Sequence, residues 1–257
     1  IMVNIANMDL LTKVNLDTLK LVWFAGEVFP TKQFNYWKKT LTHTKFANLY
    51  GPIEITLDCT YFIVDRDFED NEPLPIGIPY RNTDVLIITD EDKLAAKGEE
   101  GELCVRGSSL ALGYYNNPEK TAAAFVQNPL NTHYPEVIYR TGDIVALNDR
   151  NEIVFKGRKD TLIKHQGYRI EMGEIEHIVV NTLKIAKNAC CVYNRQNKEI
   201  VLYYENAEDI AAAVFRKELL TSLPKYMIPT VYERYDEMPR NPNGKIDRAF
   251  LNQKANS

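Results

Sequence analysis

Three polar turns carry the side chains with the most evident chemistry. In the first, the ring of Tyr50 comes four residues before the carboxylate of Glu54. A flat ring can stack on a nucleobase, and carboxylate oxygens are ligands that Mg²⁺ prefers. The second turn ends at Asp143, whose two acceptor oxygens suit a sugar diol. The third, rich in Pro, Asn and Gly, presents Lys245, a cation able to stabilise developing negative charge.

A further stretch, residues 157–176, is typical of a joint between two domains. It opens with a glycine-containing polar turn after an apolar run, and Gly167 breaks the short strand that begins at 161. A helix then follows, with its apolar residues at helical spacing: Ile175, Ile178, Val179 and Leu183. We therefore predict two domains, 1–159 and 160–257.

The residues before the first turn predict a strand, helix, strand unit. The apolar run 21–25 is typical of a strand buried on both faces of a parallel sheet. Pro30 opens a helix, and 45–49 forms the second strand. The inner stripe of this helix is Phe34, Trp37 and Leu41. Such units place ligands at the carboxyl ends of their strands, where Gly26 and Tyr50 fall.

Between residues 59 and 155 the pattern changes to short strands separated by turns. The predicted strands are 61–64, 84–89, 102–106, 137–139 and 144–147. A helix capped by Asn117 and opened by Pro118 interrupts them. This succession predicts a small barrel or twisted sheet.

The tail has the pattern of an α+β domain of ordinary size. Its predicted elements are a helix from Glu171, strands 189–193 and 199–204, a helix 208–223 and a strand 231–235. The second helix should pack through Ala211, Val214, Phe215 and Leu219.

Composition and residue spacing argue against several kinds of partner and site. A net charge of -4 and a pI near 5.7 argue against nucleic acid or an anionic membrane as the main partner. No apolar run approaches the roughly 20 residues of a membrane helix, so we expect a soluble, cytosolic protein without a membrane span. The four cysteines form no CxxC pair and the four histidines are scattered, so we expect reduced core cysteines and no structural metal.

Several segments, in order, resemble the motifs of the adenylate-forming ligases. They are NLYGPIE at 48–54, GELCVRGSSLALGYYN at 101–116, TGD at 141–143, GRKDTLIKHQGYRIEMGEIE at 157–176 and NGKID at 243–247. The forms RIEMGEIE and NGKID favour the amino-acid-activating domains of nonribosomal peptide synthetases, or D-alanine–carrier protein ligases, over acyl-CoA synthetases. Two positions depart from the family pattern. Ile53 stands where a hydroxyl usually meets the α-phosphate, and Leu112 where arginine is common.

The resemblance implies a role for each polar residue. Tyr50 stacks on adenine, Asn48 and the Gly26–Glu27 segment line its edge, and Glu54 helps to hold Mg²⁺. Asp143 accepts hydrogen bonds from both ribose hydroxyls, Arg158 contacts the nucleotide, and Lys245 is catalytic. Asp160 is the hinge of a mobile tail, and Gly167 lies in the tunnel for a thiol. The implied side-chain pocket is Trp23, Ala25, Leu49, Leu57 and Asp58, which leaves room for a small amino acid, D-alanine included.

The implied fold is α/β plus α+β, a partial adenylating enzyme of the ANL type. It comprises a strand, helix, strand remnant of the large domain, a small barrel-like subdomain, a hinge and a compact carboxyl-terminal domain. The implied reaction uses ATP and Mg²⁺ to make an aminoacyl adenylate, then transfers the acyl group to the phosphopantetheine thiol of a carrier protein.

Two rival functions remain, an acyl- or aryl-CoA ligase and a non-catalytic nucleotide-binding module. The family's Ser/Thr/Gly-rich phosphate loop and its amine-binding aspartate have no match here. We therefore expect residues 1–257 to be the carboxyl-terminal half of a ligase about twice as long, folded but inactive alone.

Overall fold

The chain forms two compact units, residues 1–156 and 157–257. The computed structural model describes residues 1–159, 161–165, 167–242 and 244–257, with the backbone alone for Leu162, Lys164 and Arg169. Each unit has its own apolar core and is described separately.

The first sheet of the first unit has the strand order β1-β2-β3-β4. Its elements are α1 (Met2–Asn7), β1 (Leu21–Phe24), α2 (Thr31–Thr40), β2 (Lys45–Tyr50), β3 (Thr60–Ile63) and β4 (Ile78–Pro79). Strands β1 and β2 are parallel and joined through α2, whereas β2–β3 and β3–β4 are antiparallel. The predicted strand, helix, strand unit is therefore confirmed.

Helix α2 packs on this sheet through the predicted apolar stripe. Phe34 is fully buried, and its ring meets that of Phe46 on β2 edge to face, with centroids 5.4 Å apart. Trp37 and Leu41 are also buried. Pro30 precedes the first helical turn, where its missing N–H leaves no helical hydrogen bond unmade.

The prediction that β1 is buried on both faces is wrong. Leu21 is 45% exposed and Trp23 is 67% exposed, while Phe24 belongs to the core. Within the described residues β1 is an edge strand that pairs with β2. A short continuous apolar run gives no periodicity from which one covered face could be told from two.

The second sheet of this unit has five strands in the order β5-β6-β8-β7, and β9 pairs with β8 outside this order. Its elements are β5 (Thr83–Ile88), β6 (Gly101–Gly107), α3 (Pro118–Ala124), β7 (Phe125–Gln127), β8 (Val137–Leu147) and β9 (Ile153–Arg158). The predicted cap of α3 is present, because the Asn117 side chain accepts the N–H of Lys120 at 3.0 Å. The two strands predicted at 137–139 and 144–147 are a single strand, β8, with an irregular middle.

The second unit combines a hairpin, a three-stranded sheet and helices. Its elements are β10 (Leu162–His165), β11 (Tyr168–Glu171), α4 (Met172–His177), β12 (Asn188–Asn194), β13 (Glu199–Glu205), α5 (Ala212–Leu219), β14 (Val231–Tyr235) and α6 (Arg248–Ala255). One π-helical turn, Ile178–Thr182, continues α4. In the three-stranded sheet β12–β13 is antiparallel and β13–β14 is parallel.

Two predictions for this unit need correction. Helix α5 is shorter than the predicted 208–223, and Ala211 and Val214 lie on its exposed side. Phe215 and Leu219 alone carry the buried stripe, because only these two stripe positions face the sheet. Helix α6 was not predicted, since its buried apolar surface centres on one residue, Leu251.

All four cysteines are free and buried, as predicted. Cys190 and Cys191 pack in different apolar clusters because successive side chains of a strand point to opposite faces. Among the described residues, no helix is both long enough and apolar enough to span a membrane.

Candidate functional site

The first unit brings Tyr50 and Asp143 together from two different sheets. Tyr50 ends β2 and Asp143 lies in the middle of β8, and the Tyr50 hydroxyl donates a hydrogen bond to Oδ2 of Asp143. Burial, and then the Asp143 carboxylate, raises the pKa of Tyr50 well above its usual value. The phenol therefore stays protonated and acts as the donor. Two residues that are 93 positions apart thus share one site.

Asp143 is held by an irregularity in β8. Cys104 on β6 pairs with Arg140, whereas Glu102 pairs with Ile144, so three residues of β8 stand opposite Leu103 alone. This is a bulge, a feature that re-aims a side chain out of its regular position. Gly142 supplies the positive φ of 75° that the bulge contains.

A buried carboxylate, that of Glu102, anchors the bulge. Its two oxygens accept hydrogen bonds from the Gly142 N–H and from the Arg140 guanidinium, each at 3.0 Å. The Thr141 hydroxyl donates to the carbonyl of Leu103 at 2.7 Å and accepts the Asp143 N–H at 3.0 Å. The backbone under Asp143 is therefore fixed before any ligand arrives.

Tyr50 is held by close backbone packing behind the Gly51 turn. A Cβ at Gly51 would lie 2.4 Å from both the Asp58 Cα and the Leu57 carbonyl oxygen. Leu57 itself has φ 112°, a conformation that is uncommon for a residue with a side chain. Burial raises the pKa of the neighbouring Cys59 thiol to about 12, so this thiol is protonated and inert near neutral pH.

Glu54 lies in a half-buried cluster with aromatic side chains. Its Oε1 accepts a hydrogen bond from the Tyr114 hydroxyl at 2.6 Å. The Tyr114 ring meets that of Phe125 at 5.9 Å between centroids, and the Lys120 Nζ lies 4.1 Å from the centre of the Tyr114 ring. These contacts fix the direction in which the Glu54 carboxylate points.

The Glu54 carboxylate fits Mg²⁺ of the kind that nucleotides carry. Mg²⁺ is usually held by one or two protein carboxylates together with substrate phosphates and water. In residues 1–159, 161–165, 167–242 and 244–257 no group of three or more His, Cys, Asp or Glu side chains is arranged to hold a metal alone. The Glu54 carboxylate, which Tyr114 holds in one orientation, fits a Mg²⁺ ion that is bound by one protein carboxylate together with substrate phosphates and water.

The other predicted nucleotide contacts of this unit lie near the ends of β1 and β2. Asn48 points to the same side of β2 as Tyr50, and its amide donates to the carbonyl of Pro75 at 2.8 Å. Gly26 and Glu27 are exposed after the end of β1, and Gly26 has φ 90° with open space where a Cβ would stand.

The five predicted pocket residues fall into two groups. Trp23 pairs with Ala47, so Trp23 and Leu49 share one face of the first sheet, and Ala25 follows directly after β1. Leu57 and Asp58 lie in the loop packed on Gly51, where Leu57 is 70% exposed. Burial raises the pKa of the Asp58 carboxyl.

Arg158 is an exposed residue at the end of β9, and the last two residues of this strand belong to the second unit. The Arg158 carbonyl accepts the Thr161 N–H at 3.1 Å, and the Thr161 hydroxyl donates to Oε1 of Glu171 at 2.7 Å. A Cβ at Gly157 would lie 2.3 Å from Oε2 of Glu171, so the glycine lets this carboxylate pack on the backbone. Glu171 therefore ties the start of the unit to α4. The predicted hinge residue, Asp160, lies outside the described residues.

Gly167 and Lys245 each lie in a tight turn of the second unit. His165 pairs with Tyr168, so Gly167 belongs to the two-residue loop of the β10–β11 hairpin, with φ 85° and open space around it. Lys245 is exposed, and its N–H donates to the side chain of Asn241 at 3.1 Å. Gly167 is thus suited to its place by its backbone conformation.

Three residues that make polar contacts in the two units were missed by the sequence analysis. Glu102 and Tyr114 lie within the motif GELCVRGSSLALGYYN. The motif does not indicate their partners, Gly142 and Glu54, which are distant in the sequence. The third residue, Arg248, forms an ion pair with Glu176 in the second unit. Glu176 is the last residue of RIEMGEIE, and its charge is the sequence feature that could have indicated a cationic partner.

Comparison with known proteins relates the chain to one family. Residues 1–115 match the model of the AMP-binding enzymes. The chain is 36% identical over 256 residues to surfactin synthase subunit 1 of Bacillus subtilis strain 168, covering 98% of this chain and 7% of that protein. It is 37% identical over 243 residues to zwittermicin A synthase ZmaJ of Bacillus cereus, covering 92% of this chain and 45% of that protein. The chain is a relative of the AMP-binding, adenylate-forming enzymes.

The fold agrees with this relationship. The o-succinylbenzoate coenzyme A synthetase of Bacillus subtilis, solved in complex with ATP and a magnesium ion, superposes with a TM-score of 0.76 at 20% identity. The alignment covers 95% of this chain and 49% of that structure. The chain has the fold of part of an adenylating enzyme and spans less than half of either synthase.

Proposed function

We propose that this chain supplies the adenine and ribose contacts and the mobile carboxyl-terminal domain of an ATP-dependent amino-acid adenylating ligase. The observation that carries the proposal is the meeting of Tyr50 and Asp143 within one hydrogen bond. An aromatic ring beside an anchored carboxylate is what a nucleoside requires, a face for the base and an acceptor for the diol. Glu54, fixed by Tyr114, would hold the Mg²⁺ that accompanies ATP.

The proposed reaction has two steps. In the first, an oxygen of the amino acid carboxylate forms a bond to the α-phosphorus of ATP, the bond to the bridging oxygen breaks, and pyrophosphate leaves. Both partners are anionic, so the ammonium group of Lys245 would stabilise the charge that develops between them. In the second, a phosphopantetheine thiol of a carrier protein loses its proton and takes the acyl group, and AMP leaves.

The two steps require different groups of residues 160–257. We assign Lys245 to adenylation, where Arg158 of the preceding segment would contact the nucleotide, and the Gly167 turn to the path of the thiol. Asp160 would be the joint about which residues 160–257 move relative to 1–159. Movement at a few backbone positions is the usual way in which such a change of pose is absorbed.

An amino acid is favoured as substrate over a fatty or aryl acid by two observations. The two relatives are synthases of surfactin and zwittermicin A rather than CoA ligases, and RIEMGEIE and NGKID resemble the forms found in amino-acid-activating enzymes. The proposed side-chain pocket contains bulky Trp23 and two leucines, which leaves room for a small side chain, D-alanine included.

Amino-acid-dependent exchange of pyrophosphate into ATP tests this proposal. The protein is expressed at its full encoded length and assayed with each of the twenty amino acids, D-alanine and an aryl acid. We expect exchange with one small amino acid and its loss in Lys245→Ala. Lys217→Ala, which removes an exposed lysine of α5, is the matched control and should exchange normally. Exchange with the aryl acid alone, or with no acid, would reject the proposal, and preference for a large aromatic amino acid would reject the small pocket.

A further inference from the structure

The contact between Tyr50 and Asp143 gives the Tyr50 hydroxyl a task that ring stacking does not require. Stacking uses the face of the ring, and phenylalanine would provide it equally well. The hydroxyl instead points to Asp143, which is 7% exposed, and the bond joins the end of β2 to the bulge of β8. A hydroxyl that donates a hydrogen bond to a buried carboxylate on another sheet restricts the rotation of that carboxylate.

We propose that the Tyr50 hydroxyl is a positioning group that fixes the Asp143 carboxylate in the orientation that accepts the ribose hydroxyls. This inference rests on the proposed function, in which Asp143 binds the ribose of ATP. The Tyr50 ring would then stack on the base. The Tyr50 hydroxyl would act on ribose binding indirectly, by orienting the Asp143 carboxylate.

The surrounding contacts explain why the carboxylate needs this partner. Glu102 and Thr141 fix the backbone of the bulge by accepting the N–H groups of Gly142 and Asp143, and these two hydrogen bonds reach the backbone rather than the Asp143 carboxylate. They leave the side-chain rotation of Asp143 to be set by the groups around its oxygens. The bond from Tyr50 occupies Oδ2, and with that oxygen held the direction of Oδ1 follows from the planarity of the carboxylate.

Ribose discrimination measures this role separately from stacking and from folding. Dissociation constants for ATP, 2′-deoxy-ATP and 3′-deoxy-ATP are determined by calorimetry with the full-length protein. The variants are Tyr50→Phe, Asp143→Asn and the double variant. Tyr204→Phe is the matched control, because the Tyr204 hydroxyl donates to another carboxylate, that of Asp209, at 2.6 Å within the second unit.

We expect Tyr50→Phe to bind ATP roughly tenfold more weakly, the effect of one hydrogen bond to a charged group, and to bind the deoxynucleotides almost as the wild type does. Its preference for ATP over the deoxynucleotides should fall toward that of Asp143→Asn. The double variant should be no worse than Asp143→Asn, because both changes remove one coupled unit. Tyr204→Phe should keep the wild-type preference.

Two results would overturn the inference. One is an unchanged ribose preference in Tyr50→Phe, which includes equal weakening for all three nucleotides, and the other is additive losses in the double variant. Failure of the proposed function looks different, since the wild-type protein would then bind no ATP or bind it without ribose preference. Thermal unfolding of each variant shows that binding is compared between folded proteins.

Discussion

Arg248, the first residue of α6, binds Glu176 of α4 through two hydrogen bonds of 2.8 Å from one guanidinium nitrogen. Arg248 also donates to the carbonyl of Cys191 at 2.7 Å, and Glu176 accepts the Cys191 N–H at 2.6 Å. Two helices and β12 are therefore joined by one ion pair. Burial alone would lower the pKa of Arg248, but the facing Glu176 carboxylate raises it, whereas burial raises the pKa of the Glu176 carboxyl against the opposing effect of Arg248. The two hydrogen bonds from the guanidinium hold the groups together as an ion pair.

Removing the charge of Glu176 should destabilise the second unit. We expect Glu176→Gln to cost about 2 to 3 kcal/mol, because Arg248 is left partly buried without its counter-charge. Asp236→Asn, which breaks an exposed pair with Arg234, should cost less than about 1 kcal/mol. Amide hydrogen exchange along β12 and β13 is the measurement, and the Cys191 N–H should lose protection most.

Both tryptophans provide an internal control for that experiment. Trp23 and Trp37 belong to the first unit, so their fluorescence reports its unfolding alone. Unchanged exchange in β12 would show that the ion pair contributes no stability. A shift in the fluorescence-detected unfolding transition without a change in amide exchange along β12 would show that Glu176→Gln affects the first unit rather than the second.

Glu171 gives the second unit a pH dependence of known sign. Burial raises the pKa of this carboxyl, and hydrogen bonds from Thr161 and Gly173 oppose the rise only in part. The folded state therefore binds the proton more tightly than the unfolded state does. The stability contributed by Glu171 is fully present below its unfolded pKa of about 4.3 and is lost as pH rises through the higher folded pKa.

Glu171→Gln should remove this pH dependence. As pH rises above the unfolded pKa of about 4.3, the wild-type second unit should lose stability relative to the variant, as measured by amide exchange in β12 and β13. Glu174→Gln changes an exposed carboxylate of α4, the helix that Glu171 caps, and this variant should follow the wild type. Parallel curves for wild type and Glu171→Gln would contradict the assignment.

Local patterns predicted the elements better than they predicted the contacts between them. The stripe of α2 and the cap of α3 depend on residues close together in the chain, and both are present. The bulge of β8 was hidden because Gly142 and Asp143 read as an ordinary turn between two strands. Its anchor, Glu102, lies 40 residues away, and no local pattern reveals such a partner.

In the candidate site, too, the residue types could be predicted from the sequence, whereas the contacts between them could not. The types of Tyr50, Glu54 and Asp143 were readable as base, metal and diol groups. Their orientation depends on pairings across the fold, Tyr50 with Asp143 and Glu54 with Tyr114, which only the packed structure reveals.

Gly51 should be required for packing rather than for backbone conformation. A methyl group there would meet the backbone at Leu57 and Asp58 at 2.4 Å, and these atoms cannot move aside as a flexible side chain could. We expect Gly51→Ala to destabilise the first unit by about 1 to 3 kcal/mol, the cost of overpacking. Tryptophan fluorescence in denaturant is the measurement.

Gly98→Ala is the companion variant for this test. Gly98 has φ 81° and nothing within 4 Å of the place where a methyl group would stand, so its replacement introduces conformational strain without a clash. We expect a cost of about 1 to 2 kcal/mol for that strain. Nucleotide binding should weaken in Gly51→Ala, which lies beside Tyr50, and stay normal in Gly98→Ala. Normal binding and stability in Gly51→Ala would show that the loop at 57–58 is not held as described.

Lys245 and Gly167 should affect different halves of the proposed reaction. Lys245→Ala removes a cation needed while the acyl phosphate forms, so adenylation should fall about 10² to 10³-fold, the scale for one preorganised charge-stabilising group. Thioester formation from supplied aminoacyl adenylate should survive. Gly167→Trp should show the reverse pattern, with adenylation kept and transfer to the carrier thiol blocked by bulk. Single-turnover assays of each step in the full-length protein are the measurement.

The conformation of Gly167 requires a second variant at that position. Because φ is 85° in a hairpin turn, tryptophan introduces backbone strain as well as bulk. Gly167→Asn separates the two effects, since asparagine tolerates left-handed conformations and is much smaller. Thiol transfer should be slowed far less by asparagine than by tryptophan, while both variants keep adenylation. If Lys245→Ala and Gly167→Trp slowed both steps equally, the two turns would not serve separate steps, and the assignment of a moving second unit would fail.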